Sequence, residues 1–154
     1  MNIIIEKAKP EDSKEITKVI IASKKYWGYP EEWFKQWNDL VITPQTIETR
    51  DFYVGRIKNE IIFVYSIKYL TVSKYELEDC WILPDYIGKG YGKLLFKDLD
   101  KKLDVLKCTS LRICSDPNAE GFYIKMGAVK IAEEPSKIKG RMFPIFEYKA
   151  KKLT

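Results

Sequence analysis

The chain has 154 residues, 45% hydrophobic and 32% charged, which predicts one globular domain over residues 1–154. Its net charge of +5 comes from 27 basic residues, four of them arginine, against 22 acidic ones, and so lysine-rich a surface argues against nucleic-acid binding. The absence of histidine excludes Ser-His-Asp and Cys-His catalysis and leaves proton transfer to carboxylates, tyrosines, lysines, cysteines or water.

The first half of the sequence alternates short apolar runs with helix-start signals. Proline and acids at Pro10-Glu11-Asp12-Ser13 are typical of a helix start, and Thr43-Pro44 predicts an N-cap followed by a proline. In chain order we expect a strand at 3–5, a helix that starts within 10–13 and carries Ile16, Val19 and Ile20, and a break at 26–30. A helix at 31–40 with Trp33, Phe34 and Trp37 on one face follows, and then strands at 52–57 and 61–70 joined by a turn at 58–60.

The second half predicts a strand at 75–83, a helix from the glycine-rich stretch to about Leu106, a strand at 109–114, a helix from Asp116-Pro117 to Met126, and strands at 128–132 and 144–149. Gly127 ends the last helix. This order predicts an α/β (α+β) fold: a mixed, largely antiparallel sheet of six to seven strands, flanked by about four helices.

The stretch LPDYIGKGYGKLLF, residues 83–96, places three glycines and two lysines where a helix begins. Gly88, Gly90 and Gly92 weaken a first helical turn, and Lys89 and Lys93 add charge to an already positive helix end. The spacing fits neither the Walker loop nor the dinucleotide fingerprint. It does fit a turn whose backbone N–H groups bind a diphosphate, because glycine lets the backbone approach an anion closely.

The cysteines argue against a metal site or a disulfide framework, and the apolar runs argue against a membrane protein. Cys80, Cys108 and Cys114 show no paired C-x-x-C spacing, so we expect no metal site and a reduced, cytoplasmic protein. No apolar run approaches the roughly 18 residues that span a bilayer, so we expect no membrane association. The N-terminal MNIIIEKAKPED lacks the basic start and cleavage site of a signal peptide.

Three blocks of sequence, in order, resemble the GNAT superfamily of acyl-CoA-dependent N-acetyltransferases. The first is the strand 76–84 followed by Ile87-Gly88-Lys89-Gly90-Tyr91-Gly92, similar to the (Gln/Arg)-x-x-Gly-x-(Gly/Ala) motif except at Ile87. The second is SDPNAEGFYIKMGA at 115–128, and the third is the tail motif from Pro135-Ser136 to Pro144. The resemblance covers nearly the whole chain and implies a GNAT-like fold with acetyl-CoA as co-substrate.

The resemblance also implies which residues bind the coenzyme. Main-chain groups of Ile82 and Leu83 would contact the acyl group and the pantetheine arm. The turn would bind the pyrophosphate, Asn118 would contact the coenzyme arm, and Lys125 would lie near its nucleotide end. The complete implied set is Ile82, Leu83, Ile87, Gly88, Lys89, Gly90, Tyr91, Gly92, Lys93, Asn118 and Lys125.

The resemblance implies that Tyr123 is the general acid that protonates the departing thiolate. For the general base, Glu76 and Glu78 share one face of the strand before the turn, and a carboxylate there can take the proton of the amine. We assign the base to Glu78, with a solvent-facing structural role as the alternative. Cys80 lies on the same strand but is interpreted as a small core residue.

The resemblance implies that the first two helices form the wall of the acceptor site. Tyr26, Trp27 and Tyr29 lie in a connection and are candidates for cation–π contact with an amine, and Glu76 is a fourth substrate-binding candidate. We predict direct acetyl transfer to a primary amine of a small molecule. Alternatives are acetylation of a protein or peptide amine and a non-catalytic acyl-CoA sensor on the same fold. A homodimer is a further prediction.

Overall fold

The computed structural model describes residues 2–36 and 41–151 and contains seven strands and five helices in those ranges. The strands are β1 Ile4–Lys7, β2 Asp51–Ile57, β3 Glu60–Thr71, β4 Lys74–Ile82, β5 Ser110–Cys114, β6 Val129–Pro135 and β7 Met142–Tyr148. The helices are α1 Ser13–Tyr26, α2 Glu31–Phe34, α3 Pro44–Thr49, α4 Tyr91–Val105 and α5 Glu120–Lys125. None of the described helices is both long and apolar enough to cross a bilayer.

The strands form one sheet in the order β1-β2-β3-β4-β5-β7-β6, which confirms the predicted mixed, largely antiparallel architecture. The β4–β5 pair is parallel and covers Lys74–Leu77 against Ser110–Ile113, whereas β4 itself continues to Ile82. The chain divides into two compact units. The first contains residues up to Ile67 together with Asp79–Leu95, and the second contains Lys68–Glu78 together with residues from Phe96 onward.

The core of the first unit is built on β3 and α1. Every residue from Ile61 to Ile67 is buried, so β3 is covered on both faces as expected of a central strand. Ile16, Val19 and Ile20 of α1 are 0 to 2% exposed, at the helical spacing that the sequence shows. Thr43 caps α3 as predicted, because its hydroxyl accepts the N–H of Thr46 at 3.2 Å.

Several predicted boundaries differ from the observed ones. The β2–β3 turn consists of Lys58 and Asn59 alone, both with positive φ, whereas Glu60 already pairs with Ile57 in the sheet. Strand β6 extends to Pro135, three residues beyond the prediction, because it pairs with β7 as far as Met142. The helix predicted at 31–40 is helical over Glu31–Phe34, and Trp37 lies outside the described residues.

In the second unit, α4 packs its predicted leucine stripe inward, with Leu99 and Leu103 at most 1% exposed and Leu106 half-buried. Tyr148 of β7 is fixed to this helix, since its hydroxyl donates to Oδ1 of the buried Asp100 at 2.6 Å. Burial raises the pKa of Tyr148, and the hydrogen bond to Asp100 and the charge of that carboxylate raise it further.

We expect Tyr148→Phe to lower the free energy of unfolding by about 1–3 kcal/mol, because it deprives a buried carboxylate of its hydroxyl donor. The raised pKa means that the folded chain holds the phenol proton more tightly than the unfolded chain. Its contribution to stability is therefore complete below about pH 10 and is lost as the pH rises through the folded-state pKa. Urea denaturation at neutral and alkaline pH measures both effects. An unchanged urea midpoint in the variant would contradict the first expectation. A variant that loses as much stability as the native chain when the pH is raised would contradict the second.

Candidate active site

The glycine-rich turn connects the end of β4 to the start of α4 in the first unit. The chain leaves β4 at Ile82, makes a 3₁₀ turn over Pro84–Tyr86, and enters α4 at Tyr91. Gly88 and Gly90 adopt φ of +77° and +90°, and apart from the adjoining residues no described heavy atom lies within 4 Å of the position that a Cβ would take at either. These two positions therefore require glycine for their backbone conformation and leave open space beside it.

This geometry corrects one expectation. The sequence suggests that all three glycines weaken the first turn of the helix, but Gly88 and Gly90 precede α4 and only Gly92 belongs to it. The amide of Leu94 donates to the carbonyl of Gly90 at 3.3 Å, which closes the first helical turn. The N–H groups before Leu94 have no acceptor inside the helix, because the first turn of any α-helix lacks them.

Lys89 and Lys93 are exposed, and neither forms an ion pair within residues 2–36 and 41–151. Two cations therefore flank the positive end of the α4 dipole without a protein counter-charge. Ile87 and Tyr91 are half-buried, and the Tyr91 ring packs edge-on against Tyr86 with centroids 5.5 Å apart. Positive-φ glycines, open space and unpaired lysines fit a diphosphate.

The two main-chain groups predicted to contact the coenzyme lie at the end of β4. The amide of Leu83 donates to the carbonyl of Ile62 at 2.8 Å, so this donor is used within the sheet. Because neighbouring residues of a strand direct their amides to opposite sides, the amide of Ile82 points away from β3. The carbonyl of Ile82 accepts the hydroxyl of Ser23 at 2.8 Å.

In the second unit, α5 carries the predicted general acid. Tyr123 is 5% exposed and packs among aromatic rings, with centroid distances of 5.3 Å to Phe122, 6.1 Å to Phe96 and 6.0 Å to Phe146. Lys125, at the end of the same helix, is exposed.

Asn118 lies in the short 3₁₀ turn before α5. Its backbone N–H and its side-chain amide both donate to Oδ1 of Asp116, at 2.9 and 3.1 Å. Asp116 in turn pairs with Arg141 at 3.4 Å, and both side chains are at most 10% exposed. A buried ion pair therefore fixes the turn that presents Asn118. The tail motif showed Arg141, but nothing in the sequence identified Asp116 as its partner.

The two glutamates of β4 have different surroundings. Glu76 forms an ion pair with Arg112, its neighbour in the parallel register, and Arg112 also binds Glu134 at 2.6 Å. These carboxylates raise the pKa of Arg112, most strongly through the hydrogen bond that Arg112 donates to Glu134. Glu78 is half-buried and lies close enough to Cys114 for its charge to raise the pKa of that thiol.

The predicted acceptor residues follow α1. Tyr26 and Trp27 are 53% and 37% exposed and meet edge to face, with centroids 4.9 Å apart. Tyr29 is half-buried and stacks on Trp33 at 5.4 Å. A buried cation, Lys24, lies 5.5 Å from the Tyr29 ring. The sequence signal for Lys24 is its position four residues after the buried Ile20.

Comparison with known proteins supports the class of N-acetyltransferases that the sequence resembles. The family model of the acetyltransferase (GNAT) family matches residues 16–128, and the chain belongs to this family. It is an acetyl-CoA-dependent N-acetyltransferase. No curated protein matches the sequence significantly. The described residues contain no group of three or more metal-ligating side chains suited to a metal ion.

Solved structures share the fold at low sequence identity. The PaiA N-acetyltransferase from Thermoplasma acidophilum, in complex with coenzyme A, has a TM-score of 0.80 and 22% identity over 97% of this chain and 99% of that one. The IAA acetyltransferase from Bacillus cereus has a TM-score of 0.69 and 14% identity over 96% and 99%. The ribosomal-protein-S18-alanine N-acetyltransferase from Escherichia coli has a TM-score of 0.70 and 14% identity over 99% and 97%.

Proposed function

We propose that this enzyme transfers the acetyl group of acetyl-CoA directly to a primary amine of a small molecule. The observation that carries the proposal is the turn at 87–93, where positive-φ glycines, open space and two lysines that form no ion pair with the described residues meet the start of a helix. The diphosphate of coenzyme A supplies the charge that complements such a turn. A cytoplasmic location and a homodimer remain predictions.

In this proposal, Ile87–Lys93 bind the pyrophosphate, Asn118 contacts the coenzyme arm, and Lys125 lies near the nucleotide end. Of the two main-chain candidates on β4, Ile82 is favoured, because the amide of Leu83 is already bonded to Ile62. Bound acetyl-CoA supplies the thioester that the amine attacks.

Glu78 is the proposed base. An amine is a cation at neutral pH and must lose a proton before its nitrogen forms the new C–N bond, and a half-buried carboxylate can accept that proton directly or through water. Tyr123 is the proposed acid, which gives its phenol proton to the sulfur as the C–S bond breaks. Glu76 is ion-paired with Arg112, so its proposed contact with the acceptor would have to compete with that pair.

Two of the cysteines are poor candidates for an acyl-enzyme intermediate. Desolvation raises the pKa of the half-buried Cys108, and at the exposed Cys114 partial desolvation and the neighbouring carboxylates raise the pKa, although the charge of Arg112 lowers it. Both thiols are therefore protonated at neutral pH, whereas the thiolate is the nucleophile. This supports direct transfer.

The test is a screen of amines with acetyl-CoA, followed by release of the free thiol. It should include polyamines, aminoglycosides, amino acids and peptides, with enzyme lacking an acceptor as the blank. We expect turnover with at least one class of small amine. Turnover with peptides alone would assign a protein or peptide amine as the acceptor, and coenzyme binding without any turnover would support an acyl-CoA sensor.

A further inference from the structure

Trp81 of β4 carries a buried hydrogen-bond donor. Its side chain as a whole is half-buried, whereas its indole Nε1 is fully buried and has no hydrogen-bond partner in the part of the chain that the structure describes. Buried N–H groups in native proteins are almost always bonded, because an unbonded donor forfeits the hydrogen bonds that water would give it. An N–H in this state indicates a partner that comes from outside the chain.

Trp81 lies beside the segment that the sequence predicts to bind the acceptor. The ammonium of Lys24, on α1, is 4.9 Å from the ring of Trp81 and 5.5 Å from the ring of Tyr29, so one side chain contacts both rings. Tyr29 belongs to the connection after α1 and is one of the predicted acceptor residues. All three residues are part of the first unit. Trp81 therefore extends the predicted acceptor site onto β4.

The backbone places Trp81 next to the residue that is proposed to contact the coenzyme. Ile82 follows Trp81 in β4, and one residue of a strand advances the chain by only about 3.3 Å. The carbonyl of Ile82 accepts the hydroxyl of Ser23 at 2.8 Å, and this bond fixes the last turns of α1 to the end of β4. An amine that reaches the thioester at the end of β4 therefore brings its remaining atoms close to Trp81.

The chemistry of the indole decides which acceptors fit. An indole N–H is a donor only, so a hydroxyl or carbonyl oxygen can accept it, whereas a second ammonium or a methyl group cannot. We infer that Trp81 determines acceptor specificity: its N–H donates a hydrogen bond to the acceptor, which is an amine that carries a hydroxyl or carbonyl oxygen. This rests on the proposed function. Because the N–H is buried, the oxygen reaches it by displacing the side chains that cover it.

The first experiment compares primary amines of equal chain length whose far end is a hydroxyl, a second ammonium or a methyl group: ω-amino alcohols, α,ω-diamines and alkylamines. Amino-acid amides extend the series to a carbonyl oxygen. We expect kcat/KM with acetyl-CoA to be roughly ten- to a hundredfold higher for the oxygen-bearing acceptors, the range of a hydrogen bond that satisfies a buried donor. Equal use of all four classes by the native enzyme would overturn the inference.

Two variants assign the preference to one N–H group. Trp81→Phe keeps a ring and removes the N–H, so it should abolish the preference by lowering turnover of the oxygen-bearing acceptors alone. Trp33→Phe removes the indole that stacks on Tyr29 at 5.4 Å, and it should retain the preference. A Trp81→Phe variant that lowers turnover of every acceptor equally would show that Trp81 has only a packing role.

The second experiment observes the N–H directly by NMR. The chain has four tryptophans, so nitrogen-15-labelled enzyme gives four indole N–H signals, and Trp81→Phe identifies the one from Trp81. With coenzyme A bound, an oxygen-bearing acceptor should move this signal downfield and slow its exchange with water, whereas an alkylamine should not. A signal that is already hydrogen-bonded in the free enzyme, or that no acceptor moves, would overturn the inference. A shift without turnover of any amine would support the oxygen contact and count against the proposed function.

Discussion

Tyr123→Phe is expected to lower kcat by about 10²- to 10⁴-fold, the contribution typical of a general acid, and to leave the affinity for acetyl-CoA nearly unchanged. The ring of Tyr123 is 5% exposed and packs against Phe96, Phe122 and Phe146. Phenylalanine preserves these contacts and removes only the proton donor. Steady-state kinetics of thiol release, together with calorimetric titration of acetyl-CoA, measures the two quantities separately.

Tyr148→Phe is the matched control for this experiment. Tyr148 is also buried in the second unit and also packs on Phe96, with centroids 5.1 Å apart, but its hydroxyl is bound to Asp100. This variant should lose stability and keep its kcat. An unchanged kcat in Tyr123→Phe would remove Tyr123 from the mechanism. If Tyr123→Phe and the control lose similar stability and show similar falls in kcat, Tyr123 has a structural role.

The parts of the site that the sequence predicts are those governed by local backbone rules. The glycines at 88, 90 and 92 predict a turn at the start of a helix, and the structure has a turn there, with Gly88 and Gly90 at positive φ. Thr43 before Pro44 predicts a cap, and the cap is present. Such features depend on neighbours in sequence, so one sequence is enough to predict them.

The parts that the sequence does not predict are pairings between distant residues. Asp116 and Arg141 are 25 residues apart and meet only because β5 and β7 are adjacent in the sheet. Lys24 meets Trp81 through the packing of α1 on β4. Assigning all three glycines to the helix was wrong because the pattern cannot distinguish the last residue of a turn from the first of a helix.

Gly90→Glu is expected to lower the affinity for acetyl-CoA by about a hundredfold or more, because a like charge placed against a bound anion costs several kcal/mol. Gly90 has φ of +90°, and the space that a Cβ would enter is open to 4 Å. A glutamate side chain can therefore start from this position, and it places a carboxylate beside the turn proposed to bind the diphosphate. Calorimetric titration of the folded variant with acetyl-CoA measures the loss.

The backbone strain of the substitution has to be separated from its charge. Any side chain at this φ costs about 1–2 kcal/mol of stability, so Gly90→Ala carries the strain without the carboxylate. Gly140→Glu supplies the same charge at a second open glycine, whose φ is +82°. We expect Gly140→Glu to lose stability and keep its affinity, and Gly90→Ala to bind more weakly than the native enzyme and more tightly than Gly90→Glu. Native affinity in Gly90→Glu would show that the turn does not bind the diphosphate.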